Sequence, residues 1–307
     1  MAGPEQVFDR GAVRRHQARA ATRLPEHDFL FREVATRVAE RIGDVNRRFP
    51  LAIELGGRAP AASRVLGQLA QVGAWISARG APRGAGPPGG ADDNGLGLVA
   101  DEEWLPFGAG RADLVVSVLG LHWVNDLPGV LNQIRRALKP DGLFMAALWG
   151  GETLGELREA LLSAESEIEG GASPRVSPFV DVAQAGALLQ RAGFALPVAD
   201  IDNLTVTYRD ALALMRELRG MGEANAVGAR RKSFSRRDTL ARAAAIYGER
   251  FGTADGRVLA TFQVIYLTAW APHASQQKPL APGSAAVSLA EALDTTEQPA
   301  GDKARPR

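Results

Sequence analysis

Between residues 28 and 270 the apolar positions alternate between helical spacing and short continuous runs. Phe31, Val34, Ala35, Val38 and Ile42 recur at helical intervals and predict an amphipathic helix over 28–42. Pro50 separates it from an apolar strand over 51–55, ended by Gly56 and Gly57. A helix over 61–71 and a strand over 73–77 follow. The Gly- and Pro-rich stretch 80–90 is incompatible with regular structure and reads as a surface loop. Strands are predicted over 96–100 and 113–117. The second is nearly all apolar, which suits a strand covered on both faces of a parallel sheet. Asp126 caps a helix that tolerates Pro128 in its first turn and carries Val130, Leu131, Ile134 and Leu138 on one face. Lys139 to Gly142 reads as a turn, and 143–148 as the next buried strand.

Strands alternating with helices at this spacing imply right-handed crossovers, hence an α/β fold with a doubly wound, mostly parallel sheet. Past residue 150 the texture changes. Helices are predicted over 152–168, 181–192, 210–221 and 238–248, a Ser/Pro loop over 173–178, and strands over 201–208 and 258–270. This is more ordered chain than a final pair of strands needs. The amphipathic helices must bury their apolar faces on the sheet edge, so 151–275 is read as an added helical cap that selects the substrate. Its Gly220–Asn225 loop is the candidate binding loop. The expected organisation is an N-terminal helical segment (1–49), a core (50–150), the cap with the last strands (151–275), and a polar tail (276–307) expected to be disordered.

The 307 residues carry a formal net charge of +1, which argues against nucleic acid as a partner. The basic clusters Arg230-Arg231-Lys232 and Arg236-Arg237 are explained by a solvated helix end as well as by a phosphate site. There is no cysteine, which excludes disulfides, thiolate catalysis and thiolate-ligated metals. The four histidines are scattered, so no metal site is expected. No apolar run approaches the ~20 residues of a membrane-spanning helix. Arg outnumbers Lys, and Ala and Gly abound, a bias of GC-rich bacterial genomes. The expected setting is a bacterial cytoplasm.

Ligands of an open parallel sheet bind beyond the carboxyl ends of its strands. The residues there are Glu54-Leu55-Gly56-Gly57, Asp101-Glu102-Glu103, and Ser117 with Leu121-His122-Trp123. Glu54-Leu55-Gly56 resembles the start of the glycine-rich motif of class I S-adenosylmethionine-dependent methyltransferases. Ala100 to Phe107 resembles their adenine-side motif. Asp113 to Ser117 with Leu121 to Asp126 resembles their fourth strand and its exit, and Leu138 to Gly142 the turn before the fifth. Further matches, among them Phe8-Asp9-Arg10, Gly150 to Leu154, Ser177-Pro178-Phe179 and Gly220 to Asn225, resemble one subgroup. It is the bacterial and mitochondrial methyltransferase-like family containing the arginine-hydroxylating assembly factor of respiratory complex I. The malonyl-carrier-protein methyltransferases of biotin synthesis are more distant.

The resemblance implies a Rossmann-like methyltransferase fold binding S-adenosyl-L-methionine. Glu54, Gly56 and Gly57 would meet its methionine end, Asp101 the adenine amino group, and Glu102 the ring through its backbone. Ser117 and His122 would complete the cofactor site, with Trp123, Glu223 and Asn225 on the substrate side. It also implies that the Arg-rich N-terminal segment, otherwise an exposed helix face, packs over the cofactor mouth. The implied partner is a subunit of respiratory complex I, which would hold the protein at the inner membrane. Two departures tell against a fully competent cofactor site. Arg58 and Pro60 stand where glycines are usual, and Trp75 to Arg79 lacks the acid that holds the ribose; the nearest acids are Asp92 and Asp93. Three functions stay open: methyl transfer to a protein or carrier-bound substrate, arginine hydroxylation on the same scaffold, and a non-catalytic assembly chaperone.

Overall fold

Apolar runs long enough to cross a two-sided sheet, separated by helices with one apolar stripe, settle the architecture. The structure is a computed structural model and describes residues 6–57, 61–80, 95–277, 283–284 and 287–296. In chain order the elements are α1 (Arg10–Ala20), α2 (Phe29–Gly43), β1 (Phe49–Leu55), α3 (Ala61–Gln68), β2 (Val72–Arg79), β3 (Gly95–Val99) and β4 (Ala112–Val118). There follow α4 (Leu127–Ala137), β5 (Leu138–Trp149), α5 (Gly155–Glu169), α6 (Val182–Arg191), β6 (Ala195–Tyr208), α7 (Ala211–Met221), α8 (Arg237–Phe251), β7 (Val258–Trp270) and α9 (Leu289–Ala292).

The seven strands form one sheet in the order β3-β2-β1-β4-β5-β7-β6. Pairing is parallel from β3 to β5, and β7 runs antiparallel to both its neighbours. Side-chain alternation sends Leu143, Met145, Ala147 and Trp149 of β5 to one face, where they pack with α2, α3, α5, α7 and α8. Phe144, Ala146 and Leu148 point to the other face, against α4 and α6. The expected α/β doubly wound sheet is therefore present.

The contacts divide the chain into two units, 1–272 and 273–307. In the second, expected to be disordered, the described residues include one turn of helix, α9, whose first turn Ser288 caps by accepting from the Glu291 amide at 3.1 Å.

Three local readings are corrected. Lys139 to Gly142 is not a turn between elements but the first part of β5, and Asp141 takes φ +61° there. The amides of Asp141 and Ala271 bond to the carbonyls of Ala271 and Gly142, which carries the pairing with β7 across the irregular residues. The helix expected from 152 begins at Gly155, because Leu154 adopts φ +56° and the Thr153 hydroxyl donates to the Gln263 carbonyl at 2.9 Å. The strand expected over 201–208 starts six residues earlier, at Ala195. The loop 81–90, Arg58, Pro60, Asp92 and Asp93 lie outside the described residues.

Candidate functional site

The carboxyl edge of the sheet is built around glycines that no other residue can replace without a shift. Gly56 leaves β1 at φ +68°, a region that side chains with a β-carbon disfavour. A β-carbon added to Gly120, just past β4, would lie 2.9 Å from the Gly56 carbonyl oxygen. One added to Gly57 would fall 1.4 Å from Glu54 Oε1. The exits of β1 and β4 thus meet backbone to backbone. The arrangement leaves bare backbone at the edge, as a cradle for a ligand requires.

Glu54 lies fully buried beneath this turn. Its Oε2 accepts the Ser77 hydroxyl of β2, and Arg79 Nη2 stands 3.5 Å away. Its Oε1 has no hydrogen-bond partner among the described residues. A buried carboxylate oxygen without a donor is costly unless a donor arrives. Gly57 covers it, so a cationic or N–H-bearing group seated on the glycine turn would supply one. The residues therefore fit the methionine end of S-adenosylmethionine. Among the described residues β2 itself ends without an acid, Ser77 being committed to Glu54 and Arg79 following, but the Glu102 carboxylate stands at its exit, with Oε1 3.3 Å from where a Gly80 β-carbon would be.

Asp101, Glu102 and Glu103 come together with Gly56, since Glu102 Cγ sits 3.3 Å from where a Gly56 β-carbon would be. The carboxylate of Asp101 does not stand open for an adenine amino group. Arg10 Nη2 donates to Asp101 Oδ1 at 2.5 Å and to Glu102 Oε2 at 2.6 Å, and Arg14 takes the other oxygen of Asp101. Burial alone would lower the Arg10 pKa, but Glu102, Asp101 and Glu103 raise it above its ordinary value. The Arg-rich segment is thus not merely an exposed face. Arginines at i and i+4 of α1 reach down onto the acidic turn. The segment is also pinned by Phe8, whose amide donates to Asn125 Oδ1 at 2.8 Å and whose ring meets Trp123 edge-on at 5.3 Å.

Ser117 is fully buried, and its hydroxyl donates to the Leu55 carbonyl at 2.9 Å, tying β4 to β1. His122 and Trp123 lie in a single helical turn after β4. Both reach the same acid: Glu223 Oε2 accepts from Trp123 Nε1 at 3.0 Å and lies 3.1 Å from His122 Nε2. Asn225 braces the loop after α7 instead, donating to the Pro174 carbonyl at 2.7 Å. Among the described residues no group of three or more His, Asp or Glu side chains could hold a metal ion.

Trp123, Glu223 and Asn225 line a chamber of about 340 Å³. Its apolar walls include Trp149, Leu157, Phe179, Met215 and Phe262. Three of its four arginines are compensated, and Arg219 forms no ion pair among the described residues. Arg175 is held by Glu165, Arg230 by Asp9 at 2.9 Å, and Arg231 by Glu169. Burial would raise the Glu165 pKa, but Arg175 and the Ser173 amide hold it below the ordinary carboxylate range. The sequence reading found Glu223 and Asn225 through resemblance. It placed Arg10 in a matched motif without its acidic partners, and it missed Glu165 and Arg175, whose places in the chamber wall only the fold reveals.

Sheet order, glycine-lined edge and buried strand-end acid together define the class I S-adenosylmethionine-dependent methyltransferase superfamily. A sequence profile of the methyltransferase domain matches residues 90–146. The fold is also that of a solved putative methyltransferase from Bacillus halodurans, at TM-score 0.51 and 12% identity over 78% of this chain and 99% of that one. The mitochondrial arginine-hydroxylase NDUFAF5 of Danio rerio is 45% identical over 93% of this chain and 89% of its own length. That of Homo sapiens is 44% identical over 93% and 83%. A malonyl-[acyl-carrier protein] O-methyltransferase of Xylella fastidiosa (strain M23) is 37% identical over 87% and 89%. Within the superfamily, the chain belongs to the family represented by the NDUFAF5 arginine-hydroxylases. Among the described residues no helix is long and apolar enough to cross a membrane.

Proposed function

We propose that the chain binds S-adenosylmethionine at the β1–β4 edge and modifies an arginine side chain that a partner protein delivers into the chamber. The carrying observation is Glu223, a carboxylate in the wall of an apolar chamber, held by Trp123 and His122 from the β4 exit. A guanidinium suits such a wall, because it is permanently charged and matches a carboxylate in two parallel hydrogen bonds. Three of the four lining arginines, Arg175, Arg230 and Arg231, each already face an acid, and Arg219 has no ion pair among the described residues.

In this reading Glu54 accepts from the cofactor's ammonium group, and Gly56, Gly57 and Gly120 let backbone approach it. Bound S-adenosylmethionine supplies an activated methyl group. Trp123 and His122 hold Glu223, which orients the arginine. The reaction named for the 45%-identical relative, hydroxylation of arginine, is the first reading. Methyl transfer is the second, favoured by the methyltransferase profile over 90–146. The partner implied by resemblance is a subunit of respiratory complex I.

The test is mass spectrometry of that subunit after aerobic incubation with the protein, S-adenosylmethionine and a two-electron reductant, because hydroxylation takes one oxygen atom from dioxygen and releases the other as water with electrons that S-adenosylmethionine does not supply. A gain of one oxygen on an arginine supports hydroxylation, and a gain of one methylene supports methyl transfer. Unmodified arginines, with cofactor demonstrably bound, refute both. Glu223→Gln, which keeps the shape and removes the charge, is expected to lower kcat/KM about 30-fold, the lower end of what an unpaired buried charge costs.

A further inference from the structure

We propose that the loop 228–236 docks on an anionic lipid surface, with Phe234 entering the interface and Lys232, Arg236 and Arg237 meeting the headgroups. Phe234 is 100% exposed. It stands between the two basic clusters of the chain, Arg230-Arg231-Lys232 and Arg236-Arg237. The structure divides these five cations by role. Arg230 and Arg231 turn inward onto Asp9 and Glu169. Lys232, Arg236 and Arg237 form no ion pair among the described residues, and one acid, Asp238, opens the adjoining helix.

The loop is anchored on both sides of Phe234, Arg231 Nε donating to Ser233 Oγ at 2.8 Å, while the Phe234 ring itself stays fully exposed. Arg230 Nη1 donates to the Val227 carbonyl at 2.8 Å, and Arg175 Nη1 donates to Ser235 Oγ at 2.7 Å. A fixed base presenting a bare aromatic ring flanked by cations is the composition of an interfacial anchor. A single exposed apolar side chain is ordinary by itself. Here it coincides with three uncompensated charges on both sides of it. An acidic protein would satisfy those charges too. But a ring that projects with no neighbour covering it offers a protein no shaped surface, whereas an interface of headgroups and acyl chains accepts a lone ring. Such a contact is peripheral and reversible.

The placement has a consequence for access. Arg230, Arg231, Ser233 and Ser235 line the chamber. Docking through the tip turns the chamber's rim toward the lipid surface, so a segment entering it is one that lies close to that surface.

The experiment is cosedimentation of the full chain with phosphatidylcholine vesicles, with and without phosphatidylglycerol. Wild type is expected to sediment with the anionic vesicles at low salt, to be released as salt rises, and to ignore pure phosphatidylcholine. Each basic residue near such a surface is worth roughly five-fold in partition. The triple variant Lys232→Gln, Arg236→Gln, Arg237→Gln is therefore expected to lose on the order of 100-fold, with an unchanged thermal melt. Phe234→Trp keeps the aromatic anchor, and its emission should shift to the blue on anionic vesicles only. That variant and the salt series decide the matter if the triple variant does not fold. The proposal is overturned if wild type ignores anionic vesicles. It is also overturned if the triple variant partitions like wild type, if the tryptophan emission stays unshifted, or if an acidic partner protein binds the loop while vesicles do not.

Discussion

Replacing Arg10 by methionine removes the charge that holds α1 over the acidic turn and keeps much of the aliphatic stem. The Arg10 side chain is 16% exposed, and its guanidinium donates to Asp101 at 2.5 Å, to Glu102 at 2.6 Å and to the Trp123 carbonyl at 3.2 Å. Glu103 lies 4.0 Å away. Without it, three consecutive carboxylates face one another with only Arg14 in compensation, and Arg14 is half exposed. One hydrogen bond to a charged group contributes about 1.5–3 kcal/mol. The carboxylates are 12–26% exposed, so water and Arg14 recover part of the loss. The net cost is set at about 2 kcal/mol. For a chain of this size each kcal/mol moves Tm by roughly 2–4 °C, so the melt should fall by roughly 4–8 °C. Calorimetric melts of wild type, Arg10→Met, Glu102→Gln and the double variant form a cycle, with an expected coupling of about 1–2 kcal/mol. A single-variant melt within about 1 °C of wild type, or a cycle with no coupling, would refute the idea that charge fastens the N-terminal helix.

Other substitutions probe the edge and the chamber. Gly120→Ala forces a β-carbon to within 2.9 Å of the Gly56 carbonyl. It should cost about 1–3 kcal/mol in denaturant unfolding and weaken cofactor binding together; retained affinity would mean that the β1–β4 contact is not part of the cradle. Trp123→Phe deletes the indole donor to Glu223, and should lower stability by about 1–2 kcal/mol while leaving the apolar packing against Phe8. Glu165 has its pKa depressed in the folded state, so its pairing with Arg175 stabilises the fold above the ordinary value of 4.5 and the stability is lost as pH falls below it. Acid unfolding of Glu165→Gln should therefore show a shallower loss of stability below pH 4.5 than wild type does; superposable curves would contradict this.

What the chain reveals in one dimension depends on how far apart the partners of each residue lie. Strands β1, β4, β5 and β7 are legible because each crosses the sheet covered on both faces, which demands a continuous apolar run. Strand β6 is an edge, paired to β7 alone. Its first half, Ala195 to Asp200, mixes Leu196 and Val198, both about half exposed, with Asp200, so neither periodicity nor apolarity announces it. The start of α5 was misplaced for a different reason. Glu152 and Thr153 belong by composition to the helix, and bonds to β7 hold them out of it: the Thr153 hydroxyl donates to the Gln263 carbonyl, 110 residues away, and the Leu154 amide donates to the Thr261 carbonyl at 2.8 Å.

The same division runs through the site. Gly56 and Glu54 are readable because the strand-end acid and glycine turn are local in sequence. Arg10 is readable only through resemblance, because an arginine in an Arg-rich helix looks solvated until Asp101 and Glu102 are brought beneath it. Ser117 looked like a ligand contact by position. Its hydroxyl is engaged by the neighbouring strand's carbonyl, a bond that only the sheet order creates.

The central claim is that the β1–β4 edge is a working S-adenosylmethionine site. Calorimetric titration of the full chain with S-adenosylmethionine tests it most directly, with Glu54→Gln as the partner measurement. The account predicts saturable binding at one site per chain. It also predicts a loss of about 1–3 kcal/mol for Glu54→Gln, because the amide cannot offer the cofactor's ammonium the charge of the buried carboxylate. No binding by the folded wild type, or equal affinity in the variant, would contradict it.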